Sequence, residues 1–296
     1  MWFKNIQLYN FPETISYTAQ ELADKLEQMV FAPTLATLPL NTGWVSPIDH
    51  EHASLVYASG DRMLICLQLE EKILPATVIR QELMEKVKQL EIERDRKISG
   101  REKYAIKEEL YLTLLPQAFS KKSKIYAYLD LKKHWLILDT ANANKTQIFS
   151  TTLEKVLPDL VLTTPELKKI SPIMTLWLQG QQPDFITIGQ NCLLQDPRQE
   201  GRTIRCKQQD LSAKSIQNLL KDGYEVNQIA LDWQEQAIFT LTNNFFLRSL
   251  KFQDAVLQLA KDDTAEKEDE SFAADFMIMT EILTKVLDDF LGILKA

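Results

Sequence analysis

Three lysines and one phenylalanine carry the first chemical signal in this chain. In FSKKSKIYAYLD, residues 119–130, Phe119 stands just ahead of Lys121, Lys122 and Lys124. Ammonium groups are point cations suited to phosphate, and an aromatic ring offers a face to a base, so the combination suits a nucleic-acid surface. Catalytic chemistry finds less support. His50-Glu51-His52 has the spacing to begin a metal site, yet His134 is the one further imidazole and no Asp/Glu array with nuclease spacing accompanies it. Asp232, in ALDWQ, has no partner base and reads as a structural or turn carboxylate. There is no GxxxxGK[ST], no GxGxxG, and no set of nucleophile, base and oxyanion donor. The sequence is therefore read as a binding protein with no catalytic residue, no metal and no cofactor.

Composition bounds the class. At 296 residues the chain predicts two or three sub-domains, and 45% hydrophobic with 25% charged residues is ordinary for a soluble globular protein. MWFKNIQLYNF lacks the basic and apolar regions of a signal peptide, and no run reaches the roughly 18 apolar residues of a membrane span, so a cytoplasmic location without a membrane partner is expected. Cys66, Cys192 and Cys206 are odd in number and lack CxxC spacing, which argues against a disulfide framework and for inert thiols in a reducing cytoplasm.

The net charge of -7 hides an asymmetry. Residues 94–124 hold nine Lys/Arg against four Asp/Glu, whereas residues 253–296 hold four against eleven. The C-terminal stretch alone matches the deficit of the whole chain. The rest is neutral in sum and basic in places, and a local basic field attracts a polyanion whatever the global sign.

The elements that must position these cations read as α+β. Strands are expected in MWFKNIQLYNF, in a hairpin over SLVYASGDRMLICLQLE turning at Ser59-Gly60-Asp61, and in KIYAYLDLKKHWLILDT turning near Lys132-Lys133. NTGWVSP reads as a turn carrying Trp44. TAQELADKLEQMVF, FSTTLEKVL, SPIMTLWLQG and LSAKSIQNLLKDG read as helices, the last closed by Gly223. DFITIG, NCLLQD and RTIRCKQQDL read as strands, followed by two or three more in NQIALDWQEQAIFTLTNNFFLRSLKF. An acidic loop, KDDTAEKEDE, precedes a closing helix. The parts expected are 1–75, a first α+β part; 76–116, a helical finger; 117–252, central and basal α+β parts; and 253–296, acidic loop and C-terminal helix.

The finger follows from periodicity. Residues 76–98 contain no Gly or Pro and would reach about 35 Å as one helix. Ser99-Gly100 breaks the run before REKYAIKEELYLTLL resumes it to Pro116, predicting an αα-hairpin. Ile79, Leu83, Val87 and Leu90 share one face, and a continued helix would put Arg94, Lys97 and Arg101 on that face too, turning an apolar seam basic. The plainer account is a solvated helix end whose cations suit the dipole. On the second helix Tyr104, Tyr111 and Leu115 lie on one side and Ile106, Leu110 and Leu114 on another, which predicts a partner beyond the hairpin mate, a second subunit.

MWFKN at the start, GWVSP at 43–47, EEKILPATVI at 70–79 and LLPQAFS at 114–120 are followed in order by IRCKQQDL at 204–211, ALDWQ at 230–234, LKF at 250–252 and ADFMIMTE at 274–281. Over nearly its full length the chain thereby resembles RdgC, the bacterial recombination-associated DNA-binding family. The resemblance implies a horseshoe-shaped α+β subunit with mixed antiparallel sheets and a projecting helical hairpin, two copies closing as a ring-shaped homodimer with a positively lined hole. It further implies binding of double-stranded DNA, and more weakly of single strands, without sequence preference. Occupying the DNA would restrain RecA-promoted recombination, in the cytoplasm at the nucleoid. Phe119 matches a phenylalanine that matters for DNA engagement in the family, either as a wedge against bases or as packing at the ring's gate. Gln208 and Gln209 match a Lys-Gln pair of the central part; Gln208 replaces the lysine, with Lys207 adjacent.

The expected interface thus comprises Arg94, Lys97, Arg101, Lys121, Lys122, Lys124 and Lys207, with Arg205 and Gln209 as lesser contributors. Two rival readings are a protein-interaction scaffold with a solvated basic finger and a metal-dependent nuclease. The acidic C-terminal stretch is expected away from the hole, repelling DNA from the outer face.

Overall fold

The computed structural model describes residues 1–33, 37–48, 54–199, 201–262 and 268–295. In chain order the elements are β1 (Gln7–Asn10), α1 (Ala19–Leu26), β2 (Leu40–Val45), β3 (Val56–Ser59), β4 (Arg62–Ile73), α2 (Ala76–Glu93), α3 (Gly100–Leu114), β5 (Phe119–Asp130), β6 (Trp135–Leu138) and α4 (Ala143–Val156). They continue as α5 (Ile170–Leu176), β7 (Ile186–Gln195), β8 (Thr203–Cys206), α6 (Lys214–Lys221), β9 (Glu225–Trp233), β10 (Ala237–Thr242), β11 (Leu247–Phe252), α7 (Asp254–Asp262) and α8 (Glu268–Leu294). The class is α+β, with two antiparallel sheets. One is five-stranded, in the order β11-β10-β9-β7-β8; the other is six-stranded, in the order β1-β6-β5-β4-β2 with β3 on β4. Among the described residues no helix is long and apolar enough to cross a membrane.

Contacts divide the chain into two units, the first Met1–Tyr17, Ala58–Leu64 and Tyr126–Ala296, the second Thr18–Tyr57 and Ile65–Ile125. Residues 76–116 fall wholly in the second unit and 253–296 wholly in the first, while 1–75 and 117–252 are each shared. The long strands β4 and β5 run through both.

The first unit is organised by α8. Phe276, Met279, Leu283, Val286, Leu287 and Phe290 are buried, and each large apolar side chain removed from water contributes about 1.5–3 kcal/mol. Phe276 meets Tyr128 of β5 edge-on at 5.9 Å, and Phe290 meets Phe239 of β10 at 5.7 Å. Polar anchors fix the helix rotation. Arg62 donates to Thr280 Oγ1 (3.0 Å) and Thr284 Oγ1 (3.3 Å), and Trp233 Nε1 donates to Asp289 Oδ2 (2.9 Å). The residues expected as an acidic loop are partly helical, since α7 runs to Asp262 and α8 starts at Glu268; residues 263–267 lie outside the described residues.

The second unit begins with a capping box: Thr18 Oγ1 accepts from Glu21 N–H, and the Glu21 carboxylate accepts from Thr18 N–H. NTGWVSP is not a turn. Asn41 to Val45 belong to β2, paired with β4 in the register Thr42↔Leu69 and Trp44↔Leu67. Extended backbone buries Trp44 completely, and that gain outweighs the local turn signal. A Cβ on Gly43 would stand 2.3 Å from the Phe31 backbone, so glycine lets the 30–31 segment lie against the strand, where Phe31 N–H donates to Trp44 O at 2.9 Å. DFITIG and NCLLQD, read as two strands, are one continuous β7 whose pairing to β9 shifts register between Ile188 and Cys192.

Candidate nucleic-acid interface

In the second unit Leu115 is buried and Pro116 follows within a tight turn, so the chain leaves α3 at a fixed point. Lys72 Nζ donates to Ala118 O at 3.2 Å, tying the start of β5 to β4. Phe119 comes next and is 86% exposed. An apolar ring that open contributes nothing to the core, which is what a contact residue requires. Lys72 carried no signal in the sequence, because only the strand pairing reveals where its ammonium reaches.

The three lysines lie within β5 rather than ahead of it. A strand alternates its side chains, so Phe119 and Lys121 share one face while Lys122 and Lys124 share the other. They are not one cluster. Lys122 Nζ stands 5.7 Å from the centroid of the Phe31 ring, within cation–π range, and is oriented by it. Lys121 and Lys122 are exposed; Lys124 is half-buried.

The expected basic seam requires a continuous helix, and the helix stops. α2 ends at Glu93 with Arg94 as its C-cap, Asp95 takes a left-handed φ of 49°, and Ser99 caps α3. Arg94, Lys97 and Arg101 therefore occupy a helix end, the connection and the first turn of the next helix. The physical reason is the strength of the cap. Glu102 accepts from Ser99 N–H and Oγ (3.0 and 2.9 Å) and from Arg96 Nη2 and Nη1 (2.6 and 3.0 Å), with Arg94 Nη1 at 3.6 Å. The bidentate Arg96 pair and then the Ser99 bonds hold the Glu102 carboxyl well below the usual carboxylate range. Arg94 is thus partly neutralised, whereas Lys97 and Arg101 are exposed.

The apolar stripe fares better. Ile79 and Val87 are buried and Leu83 and Leu90 half-buried. On α3, Ile106, Leu110 and Leu114 are half-buried, but the second face is largely used within the unit: Leu115 is buried and Tyr111 half-buried, leaving Tyr104 exposed. Leu112, Met84 and Ile92, not singled out by periodicity, are also exposed.

The first unit holds the other candidates. β8 ends at Cys206, earlier than expected, and Lys207, Gln208 and Gln209 form the loop after it; these three and Arg205 are exposed. Gln208 adopts a left-handed φ of 50°, held by its N–H on Asn191 Oδ1 at 3.0 Å, and Gln209 N–H donates to Gln190 O at 3.1 Å. A non-glycine residue held in that region marks a loop fixed by its surroundings. Gln208 and Gln209 border a cleft of about 710 Å³ with Gln179, Gln182, Gln190 and Gln217, a wall rich in amides.

The residues weighed for catalysis take structural places. Asp232 accepts from Glu235 N–H (3.1 Å) and Gln253 Nε2 (3.0 Å), closing the β9–β10 turn. His134 occupies the β5–β6 turn at φ 55°, its ring 5.7 Å from Phe11. His50 and His52 lie outside the described residues, and among the described residues no group of three His, Cys, Asp or Glu is placed to hold a metal.

The family model described as "Putative exonuclease, RdgC" matches residues 1–296. The chain is similar to the recombination-associated protein RdgC of Proteus mirabilis, 34% identical over 298 residues, covering 99% of this chain and 98% of that one. It is similar also to the proteins of that name from Aeromonas hydrophila (34% identical, 97% and 95% covered) and Psychromonas ingrahamii (34% identical, 99% of each).

Proposed function

This chain belongs to the RdgC family, and on that premise we propose that it binds DNA without sequence preference, encircles duplex DNA as a homodimeric ring, and limits RecA-promoted recombination by occupying the DNA. The observation that carries the reading is the start of β5, where an almost fully exposed Phe119 shares a strand face with the exposed Lys121. Cations there contact phosphate and release counterions, which gives affinity without base readout. Lys97, Arg101, Lys122 and Lys124 extend the set in the second unit, with Arg94 reduced by its pairing to Glu102. Arg205, Lys207, Gln208 and Gln209 form a set of their own in the first unit, Arg205 and Lys207 supplying charge and the two amides neutral hydrogen bonds. The exposed Tyr104 and Leu112 of α3 are the side chains we assign to contact with a second copy. A cytoplasmic, nucleoid-associated location follows from the same reading.

A filter-binding titration of unrelated duplexes across salt tests it. Affinity should fall steeply and equally for all sequences, with a log–log slope of about 0.9 per phosphate contact. Lys121→Glu should weaken every duplex alike and flatten that slope. A salt-independent affinity would remove the phosphate account, and no retention at low salt would leave a protein-interaction scaffold. Linear and closed circular duplexes, compared for dissociation rate, test encirclement. The family description names an exonuclease, so the same mixtures incubated with Mg²⁺ decide that reading: shortening of duplex ends would establish it.

A further inference from the structure

The cysteines looked unrelated in sequence, 14 positions apart and without a motif, yet two of them meet. Cys192 on β7 and Cys206 on the edge strand β8 are register partners in an antiparallel ladder. Residues directly opposite in such a pair point to the same face, with Cβ atoms about 4.5–5.5 Å apart. The pair class follows from the ladder. Asp196 N–H donates to Arg202 O, which makes 196/202 a hydrogen-bonded position, and alternation by two places 192/206 in the same class. Cα atoms there stand about 5.5 Å apart, inside the roughly 4.4–6.8 Å window a disulfide spans. The Cβ atoms must close by about 1 Å to reach its roughly 3.5–4.5 Å, a strain that makes the bond readily reducible. The two thiols are near enough to interact, and burial followed by the Cys206 contact pushes the Cys192 thiol up.

Access is asymmetric. Cys192 is buried and Cys206 half-buried, and both line an open cavity of about 460 Å³. Cys66, the third thiol, is buried in β4 of the other sheet.

We propose that Cys192 and Cys206 are a redox modification site, forming a reversible intramolecular disulfide that ties the edge strand β8 to β7 on exposure to a hydroperoxide. The Cys206 sulfur attacks one peroxide oxygen, breaking the O–O bond and giving a sulfenic acid and one water. The Cys192 sulfur then attacks the sulfenic sulfur, forming the S–S bond while the hydroxyl leaves with the thiol proton as a second water. Two thiols lose two electrons and two protons, and hydrogen peroxide is reduced to two waters. A dithiol such as dithiothreitol restores both thiols by exchange.

The full-length protein, reduced, exposed to hydrogen peroxide and then alkylated in denaturant, tests this with no DNA present. Free thiols should fall from three to one, the remaining label should sit on Cys66, and the unalkylated mass should drop by two hydrogen atoms. Proteolysis should yield one fragment joining Cys192 to Cys206, and dithiothreitol should separate it. Cys206→Ser should keep both remaining thiols. Cys66→Ser should still lose two, and wild-type labelling gives the same answer if that variant fails to fold. Three labelled thiols after exposure, oxygen added to Cys206 with Cys192 still free, or a cross-link between chains would each overturn the proposal.

Discussion

Arg96 grips Glu102 with both terminal guanidinium nitrogens, Nη2 and Nη1 at 2.6 and 3.0 Å, and thereby takes a carboxylate and a cation out of play in the most basic stretch of the chain. The same carboxylate closes the capping box on Ser99, so one residue both starts α3 and moderates the local field. Glu102→Gln should release Arg94 and Arg96. Duplex affinity at low salt should rise several-fold, with a salt slope steeper by about 1 for each cation that gains a phosphate. Unchanged affinity and slope would mean that this connection does not face DNA.

Glu102 also predicts a pH dependence. Its folded pKa is depressed, so its stabilising effect is complete above the ordinary value of 4.5 and is lost as pH falls through the folded value. The wild-type melting midpoint should therefore exceed that of Glu102→Gln at neutral pH, and the gap should narrow in acid. A gap that stays constant from neutral pH down to acid would contradict the ion-pair account.

Phe119→Ala separates contact from structure. The ring is 86% exposed, so stability should change by no more than about 0.5 kcal/mol. A base-stacking or wedge contact is worth about 1–3 kcal/mol, so duplex affinity should fall about 5- to 150-fold. If affinity holds while the dimer weakens in sedimentation, the ring packs at a subunit gate instead.

Gly43→Ala tests the link between β2 and Phe31. The added methyl meets the Phe31 backbone at 2.3 Å, and relieving that overlap should cost about 1–3 kcal/mol in denaturant unfolding. Because Phe31 orients Lys122, DNA affinity should also fall, by no more than in Lys122→Ala. Wild-type stability in Gly43→Ala would refute the close approach.

Gln208→Gly should leave the melting midpoint unchanged or higher, since glycine adopts φ 50° without the Cβ penalty. Duplex affinity should nonetheless drop several-fold, because the amide is gone while the loop is kept. A drop in stability instead would give Gln208 a structural role.

Much of the architecture was written in short-range patterns. The turns at Gly60 and near Lys132-Lys133, the break at Ser99-Gly100, the α+β class and the inward stripe Ile79-Leu83-Val87-Leu90 each depend on residues a few positions apart, and periodicity and turn residues report such distances. So does the exposure of Phe119, stranded between a proline turn and a lysine run. What failed did so where a long-range term won. NTGWVSP looks like a turn until burial of Trp44 against β4 is counted.

The sequence by itself determined which side chains are present and which short elements they favour: cations beside an aromatic, and helices and strands in this order. Only the tertiary structure decided which of them meet. It split Lys121 from Lys122 by strand alternation, spent Arg96 and part of Arg94 on Glu102, set Lys72 behind Phe119, and brought Cys192 opposite Cys206. Each depends on register or on the end of a helix, and those are fixed by pairing and packing between segments far apart in the chain, whose energies no local pattern records.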